Sequence, residues 1–183
     1  MKNTVFKKFS GLLLLVIVCF SCASDLDFNQ VNDVKLEPVF VSNLASFEIP
    51  AKDFVTGGVE QNVIYAVPTV DIFNDSFFRN NLVKAGLDFE INNTINRAYT
   101  LEITFLDVND SPIHSVNFSI PAYTGTENLV STTETFENTQ LNILKRTTKM
   151  AFLLRMASGP ALTENSLGSI KLRSGVTAYF IIE

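Results

Sequence analysis

A period-of-two alternation between apolar and polar residues, from residue 82 to residue 121, constrains the fold more than any other feature of the chain. Its first run places apolar residues at every second position: Val83, Ala85, Leu87, Phe89 and Ile91. Two further alternating runs follow, at residues 99–105 and 114–120. Because successive side chains of a β-strand point to opposite faces, the pattern predicts three strands with one buried face and one wet face. Their short polar links predict an antiparallel meander.

Strand-like runs also lie on both sides of this region, at residues 38–49, 63–70, 129–136, 150–156 and 169–182. Only residues 139–148 are typical of a helix of some length. Seven to nine short strands with one short helix predict an all-β fold, an antiparallel β-sandwich of immunoglobulin-like kind. A small closed β-barrel is the alternative. Gly175 marks either a bulge in one long last strand, the favoured interpretation, or a hairpin turn with Ser174.

The N-terminal stretch has the order of a secretory signal: a basic start, an apolar run at residues 11–20 and a small-residue junction. The apolar run is too short to cross a bilayer, which requires roughly 20 residues. A cysteine directly after a small residue at this junction resembles a bacterial lipobox. That resemblance implies that Cys22 is lipidated and becomes the first residue of the mature chain. The alternative is ordinary cleavage after Ala23, since the junction also satisfies the small-x-small rule.

These features divide the chain into three parts. Residues 1–21 are expected to be a signal peptide that is removed, and residues 22–35 a lipidated cysteine followed by an acidic, flexible tether. Residues 36–183 are expected to form a single β-sandwich domain. Cys19 would leave with the signal, so no disulfide is expected. The chain has 14 Lys and Arg against 19 Asp and Glu, a net charge of −5, and such a protein is repelled by nucleic acid, so we expect no nucleic-acid partner.

Residues capable of catalysis are sparse. His114 is the only histidine and belongs to the inward-facing set of its strand, while Ser115 points to the opposite face. No G-x-S-x-G elbow is present, so we expect no catalytic residues and no cofactor. Calcium is the one metal to consider, because Asp107, Asn109 and Asp110 place hard oxygen ligands in one loop. An Asx-rich hairpin turn has the same composition and is the favoured interpretation.

Ligand-binding candidates are similarly few. Tyr123, in the loop after Pro121, is the candidate for stacking on a glycan. Three carboxylates, those of Asp88, Glu90 and Glu102, would have to supply any acid and base pair for glycoside hydrolysis, but a solvated sheet face is the favoured interpretation. Four basic residues form the only basic cluster of the sequence: Lys145, Arg146, Lys149 and Arg155. They could contact the phosphates of an outer-membrane glycolipid or lie at a solvated helix end.

Four motifs together carry a resemblance over most of the chain after the signal. They lie at residues 22–28 (CASDLDF), 36–40 (LEPVF), 74–85 (NDSFFRNNLVKA) and 89–93 (FEINN). Their order is similar to that of small uncharacterised outer-membrane lipoproteins of flavobacteria, which belong to the Bacteroidetes. The acidic residues Asp25 and Asp27 also resemble the export signal of Bacteroidetes surface lipoproteins. The resemblance implies a location and no activity.

We therefore expect a lipid-anchored protein of the outer membrane, on the cell surface. The alternatives are its periplasmic face, or secretion after cleavage at Ala23. The expected function is that of a non-enzymatic envelope lipoprotein whose β-domain is structural or binds a partner protein or a surface polymer. A glycan- or lipid-binding module is the alternative.

Overall fold

The computed structural model describes residues 35–182, and in it eight strands form two antiparallel sheets of four. The first sheet contains, in spatial order, β1 (Val39–Pro50), β10 (Ser169–Phe180), β5 (Leu82–Asn93) and β8 (Leu129–Glu137). The second contains β4 (Val63–Ala66), β9 (Lys149–Met156), β6 (Tyr99–Leu106) and β7 (Pro112–Ile120). A separate hairpin pairs β2 (Val55–Thr56) with β3 (Val59–Glu60). The predicted signal, Cys22 and the tether before residue 35 lie outside the described residues.

The predicted all-β antiparallel sandwich is confirmed, with a strand number inside the expected range. Its two sheets each have open edges, so the closed barrel is not the arrangement adopted by residues 35–182. The spatial orders β1-β10-β5-β8 and β4-β9-β6-β7 are those of a jelly roll, in which two Greek keys interlock. This connectivity differs from that of the immunoglobulin fold. The alternation of apolar and polar residues is the same in both folds, so it could not distinguish one connectivity from the other.

The three strands between residues 82 and 121 form as predicted, but the predicted meander is wrong. β6 pairs with β7, whereas β5 lies in the other sheet between β10 and β8. The chain crosses between the sheets just after the buried Asn93, whose Nδ2 donates to the carbonyl oxygens of Arg97 (2.8 Å) and Pro121 (2.7 Å). Its Oδ1 accepts from the N–H of Ile95 at 2.9 Å. One side chain thus holds the crossing turn, and alternation alone could not reveal it.

The core lies between the two sheets and is rich in phenylalanine. Phe89 of the first sheet meets Phe118 of the second with ring centroids 5.8 Å apart. Phe105 and Phe136 make a second such pair at 5.9 Å. Aromatic pairs of this kind contribute about 0.5–1.5 kcal/mol beyond their area burial. Residues 36–182 form one compact unit containing every described strand and the described core, so we expect this unit to fold without the segment before it.

Two short helices complete the fold, and the second lies within residues 139–148, where the sequence predicts a helix. α1 (Ser76–Asn81) begins after Asp75, whose Oδ1 accepts from the N–H of Phe78 at 3.1 Å, as an N-cap does. α2 (Leu141–Arg146) follows a 3₁₀ turn at Asn138–Gln140. α1 buries Phe78 and leaves Phe77 exposed, whereas α2 buries Leu141 and Leu144.

β10 is one long strand, as the favoured interpretation of the last run predicts, but the bulge predicted at Gly175 is not in β10 itself. The extra residue lies in its partner: Asn43 pairs with Gly175 and Ala45 with Ser174, so that Leu44 is the bulged residue of β1. Ser174 Oγ accepts from the N–H of Ala45 at 2.9 Å and donates to its carbonyl at 3.0 Å. This side chain therefore satisfies the backbone groups that the bulge removes from the ladder.

Candidate functional site

One end of the sandwich, which we call the Leu36 end, brings together the start of the domain, α1 and the end of β10. Leu36 and Ile182 exchange two backbone hydrogen bonds of 3.0 Å each. The N–H of Ile181 donates to the carbonyl of Asn81, the last residue of α1, at 2.9 Å. The chain preceding the domain therefore joins it at the same end at which α1 lies.

An apolar cleft of about 230 Å³ opens at the Leu36 end. Its apolar lining consists of Phe40, Ile72, Phe77, Phe78, Val176, Ala178 and Phe180, and Ser42 and Asp75 stand at its rim. Three of these residues are inward-facing positions of β10, so the cleft reaches the core. The Phe180 ring is met by those of Phe77 at 5.3 Å, Phe78 at 5.6 Å and Phe40 at 6.3 Å.

The Leu36 end is rich in exposed apolar side chains. Fourteen large hydrophobic side chains are exposed in the described part of the chain, and seven belong to the Leu36 end: Leu36, Val39, Phe40, Val41, Phe77, Val83 and Tyr179. Phe40 is 63% exposed and Phe77 45%. These side chains lie on both faces of the first sheet, because Phe40 lines the cleft whereas Val39, Val41 and Tyr179 occupy outward-facing positions. Single exposed apolar residues are common on proteins, but such a concentration at one end is typical of a surface that another molecule covers.

A basic groove of about 510 Å³ lies on the other side of α1. It is lined by Asn74, Ser76, Arg79, Asn80, Asn142, Lys145 and Arg146, so three cations and no carboxylate line it. The predicted basic cluster is only partly assembled here. Lys149 instead bonds Asp110 at 2.6 Å, and Arg155 is exposed on β9 at the far end of the sandwich. Arg79 was not included in the predicted cluster because it lies on α1, a short helix that is distant in sequence from α2.

A third, polar groove of about 370 Å³ crosses the outer face of the first sheet. Its lining includes Glu90, Glu127, Lys171 and Arg173. Of the three carboxylates considered for a hydrolytic pair, Glu102 lies apart from Asp88 and Glu90. Glu90 faces outward from the first sheet, as Asp88 does, whereas Glu102 lies on the outer face of the second, so the core separates them.

The candidate calcium loop has the hydrogen bonds of an Asx turn. Asp107 Oδ1 accepts from the backbone N–H groups of Asn109 (2.9 Å) and Ser111 (3.0 Å), and its Oδ2 lies 3.4 Å from Arg146. The N–H of Ser111, then that of Asn109 and finally Arg146 lower the pKa of the Asp107 carboxyl group. Asp110 has φ of 59° and bonds Lys149. No cluster of three or more His, Cys, Asp or Glu residues occurs within residues 35–182.

His114 lies on the inward side of β7, as predicted, at the open edge of the sandwich. Its ring packs against Phe105 (5.3 Å) and Phe136 (5.5 Å). Its Nε2 is 3.5 Å from Glu134 Oε2, across the gap between the edge strands of the two sheets and too far for a good hydrogen bond. Ser115 Oγ instead lies 3.3 Å from Thr104 Oγ1 on the outer face. The imidazole thus has no nucleophile beside it among the described residues.

A buried charged cluster around Arg97 secures loops at the end of the sandwich opposite Leu36. Arg97 is 5% exposed and donates to both carboxylate oxygens of Glu60 (3.2 and 3.3 Å), to Ala157 O (2.7 Å) and to Pro160 O. The backbone N–H of Leu162, with Arg97 adding to it, lowers the pKa of the Glu60 carboxyl group. These bonds join the β2–β3 hairpin to the connection between β9 and β10, so the role of Arg97 and Glu60 is structural.

Tyr123 lies in the loop after β7, where its backbone N–H donates to Ile95 O at 2.9 Å. Its side chain is half-buried, and it lines none of the three grooves described above. The glycan candidate named from the sequence is therefore apart from the surfaces that the fold shapes into grooves.

No protein-family model matches the chain, and no curated protein is similar to it. Solved structures give weak matches. The VP2 subviral particle of infectious bursal disease virus is 12% identical with a TM-score of 0.43, over 78% of this chain and 32% of VP2. A protein of Parabacteroides distasonis that is predicted to be secreted is 14% identical with a TM-score of 0.42, over 63% of this chain and 38% of that one.

The Desmodium yellow mottle tymovirus structure is 9% identical with a TM-score of 0.36, over 81% of this chain and 90% of that chain. This chain spans about a third of the length of the VP2 protein. Similarities this low carry no information on function.

None of the helices within residues 35–182 is both long enough and apolar enough to cross a membrane.

Proposed function

We propose that this chain is a non-enzymatic lipoprotein, anchored through Cys22 in the outer membrane at the cell surface, whose jelly-roll domain binds a partner through its Leu36 end. The observation that carries the proposal is the concentration of exposed apolar side chains at this end. Burying such side chains contributes roughly 25 cal/mol per Å² of apolar surface, so a partner that covers the cleft gains affinity from them.

The edge strand beside the cleft supports the same interpretation. β1 forms one edge of the first sheet, and from Val39 to Phe47 it carries no charged residue. Proteins usually protect such edges with charges, prolines or short strands. The other edge of this sheet carries Glu134 and Glu137, and β4, at an edge of the second sheet, has only four residues. Apart from the bulge at Leu44, this part of β1 lacks such protection, as expected of a binding edge.

A non-catalytic role is supported by the packing of the only histidine. His114 lies between two phenylalanine rings and faces Glu134, and the nearest serine in its strand points the other way. A general base needs a reacting proton within hydrogen-bonding distance, and this imidazole faces the inside of the sandwich edge.

The anchoring part of the proposal is tested by Cys22→Ala with Cys19→Ala as the matched control. Wild type and Cys19→Ala should fractionate with the outer membrane and be degraded when intact cells are treated with protease. Cys22→Ala should be released from membranes or remain unprocessed. Normal processing of Cys22→Ala, together with a wild type that is soluble and carries no lipid, would establish cleavage after Ala23 and refute the anchor.

The polar groove on the first sheet favours a second candidate, a glycan-binding module. Its lining pairs the cations Lys171 and Arg173 with the acids Glu90 and Glu127, a mixture of donors and acceptors suited to sugar hydroxyl groups. A glycan array with Arg173→Ala and Tyr123→Ala tests it. Binding that is lost in the first variant and kept in the second would place the glycan in the groove, and the absence of any glycan bound by wild type would refute this candidate.

A further inference from the structure

We propose that the Leu36 end docks on the anionic lipid surface of the membrane that holds the anchor. Phe40 and Phe77 enter the acyl region, and Arg79, Lys145 and Arg146 contact the lipid phosphates. The inference rests on the proposed function for the identity of the membrane. It names what the apolar cleft and the basic groove bind.

The two surfaces adjoin because they share one short helix. Phe77 and Phe78 of α1 line the apolar cleft, whereas Ser76, Arg79 and Asn80 line the basic groove. A helix with its side chains is roughly 10–12 Å across, so the aromatic and cationic groups lie about that far apart. Aromatic side chains next to Lys and Arg are the composition that proteins use at the boundary between acyl chains and headgroups.

The attachment point argues for a membrane as the occupant. Residues 22 to 36 span at most about 50 Å when fully extended, at about 3.3–3.6 Å per residue. They join the domain at Leu36, which is itself 55% exposed and is followed by the exposed Val39 and Phe40. The apolar end is therefore the part of the domain that lies nearest, along the chain, to the proposed lipid on Cys22.

Charge argues for anionic lipid in particular. Arg79 and Lys145 have no ion-pair partner among residues 35–182, and Arg146 makes one exposed contact of 3.4 Å with Asp107. The chain as a whole carries a charge of −5, so attraction to an anionic surface requires a local concentration of cations, and this groove supplies three without a carboxylate. Each Lys or Arg near such a surface strengthens binding about fivefold at low salt, and the effect falls off within a Debye length of about 10 Å.

Sedimentation with lipid vesicles tests the docking without the anchor. The protein is the chain from residue 23 to residue 183, which lacks Cys22 and retains the whole compact unit. It should sediment with vesicles of phosphatidylglycerol and phosphatidylcholine and bind pure phosphatidylcholine at least tenfold more weakly. Sodium chloride at high concentration should weaken the binding.

Variants of each surface have controls at the opposite end of the sandwich. Phe40→Ser with Phe77→Ser, and Arg79→Glu with Lys145→Glu, should each weaken vesicle binding more than tenfold. The apolar control is Val59→Ser with Leu167→Ser, at side chains 62% and 88% exposed, and the charge control is Lys52→Glu with Arg155→Glu. Both controls should change binding less than threefold, because they match the chemistry and differ only in position.

A fluorescent reporter gives a second measurement that does not depend on loss of binding. The chain contains no tryptophan, so Phe77→Trp introduces a single one at the rim of the cleft. Its emission should shift to the blue on addition of anionic vesicles, whereas that of Leu167→Trp should not shift.

Three results would overturn the docking: equal binding to both lipid compositions, equal losses in groove and control variants, or dimerisation through β1 without any vesicle binding. Because this protein lacks Cys22, failure here with a positive Cys22 fractionation test refutes only the docking. Vesicle binding with a failed Cys22 test refutes only the anchor.

Discussion

Gly168 and Gly125 allow a test of how closely the chain packs where β10 begins. Both have almost the same φ, 96° and 97°, at which a residue with a Cβ is strained. Their surroundings differ. A Cβ on Gly168 would lie 2.3 Å from the carbonyl oxygen of Thr94 and 2.7 Å from its carbon, whereas a Cβ on Gly125 meets nothing within 4 Å.

The pair therefore separates backbone strain from collision. The conformational cost of alanine at this φ is about 1–2 kcal/mol and is common to Gly125→Ala and Gly168→Ala. The obstacle at Gly168 is backbone, which cannot rotate away, so we add about 1–3 kcal/mol for forced displacement. Gly168→Ala should thus lower the free energy of unfolding by about 2–5 kcal/mol and Gly125→Ala by about 1–2 kcal/mol. Urea unfolding followed by circular dichroism measures both.

A difference below about 0.5 kcal/mol between the two variants would refute the reasoning. It would mean that the segment at Thr94 moves freely, and that the turn between β5 and β6 is not held against the start of β10. The contacts argue otherwise. The N–H of Ser169 donates to Thr94 Oγ1 at 2.9 Å, and the N–H of Thr94 donates to Ser169 O at 2.9 Å.

Three further predictions concern the bulge, the Asx turn and the core. Ser174→Ala should cost about 1–2 kcal/mol in urea unfolding, because both backbone groups of Ala45 lose their partner at an edge that water reaches. Backbone N–H groups lower the pKa of Asp107, so its carboxylate stabilises the fold above its unfolded pKa of about 4. In thermal melts, the higher melting temperature of wild type relative to Asp107→Asn should therefore disappear as the pH falls below that value. Leu87→Ala, at a fully buried position, should cost about 2–5 kcal/mol in urea unfolding, and Val41→Ala, at a side chain 75% exposed, less than about 0.5 kcal/mol.

The sequence predicts which residues form strands far better than it predicts which strands pair with each other. Alternation reports which side of a strand is buried, and the positions of β5, β6 and β7 agree with it. It is silent on which sheet a strand joins, and so β5 was wrongly placed beside β6. Val83 is a second error of the same origin: Lys84 pairs with Tyr179 and Leu82 with Phe180, so Val83 is the bulged residue and is exposed.

The candidate site could not be predicted because its parts are remote in sequence. Phe40, Phe77 and Phe180 each belong to a different apolar run and are individually indistinguishable from core residues. Only the pairing of β1 with β10, and the bond between Ile181 and Asn81, bring them together. Exposure is what marks two of them as functional candidates, and exposure depends on tertiary packing that a single sequence does not display.

The cleft follows from an imbalance between the sheet edges. β1 has twelve residues, whereas β4, at the edge of the second sheet, has four and is followed within two residues by Pro68, which has no N–H to donate to a ladder. The 3₁₀ turn Asp71–Asn74 and α1 come next and cover part of the inner face of β10 in place of a longer strand. Helical turns cannot match the regular side-chain spacing of a strand. The rings of Phe77 and Phe78 therefore pack against Phe180 and leave a gap that reaches the core. The same segment carries Arg79 to its other side, which explains why an apolar cleft and a basic groove occur together at the end where the chain enters the domain.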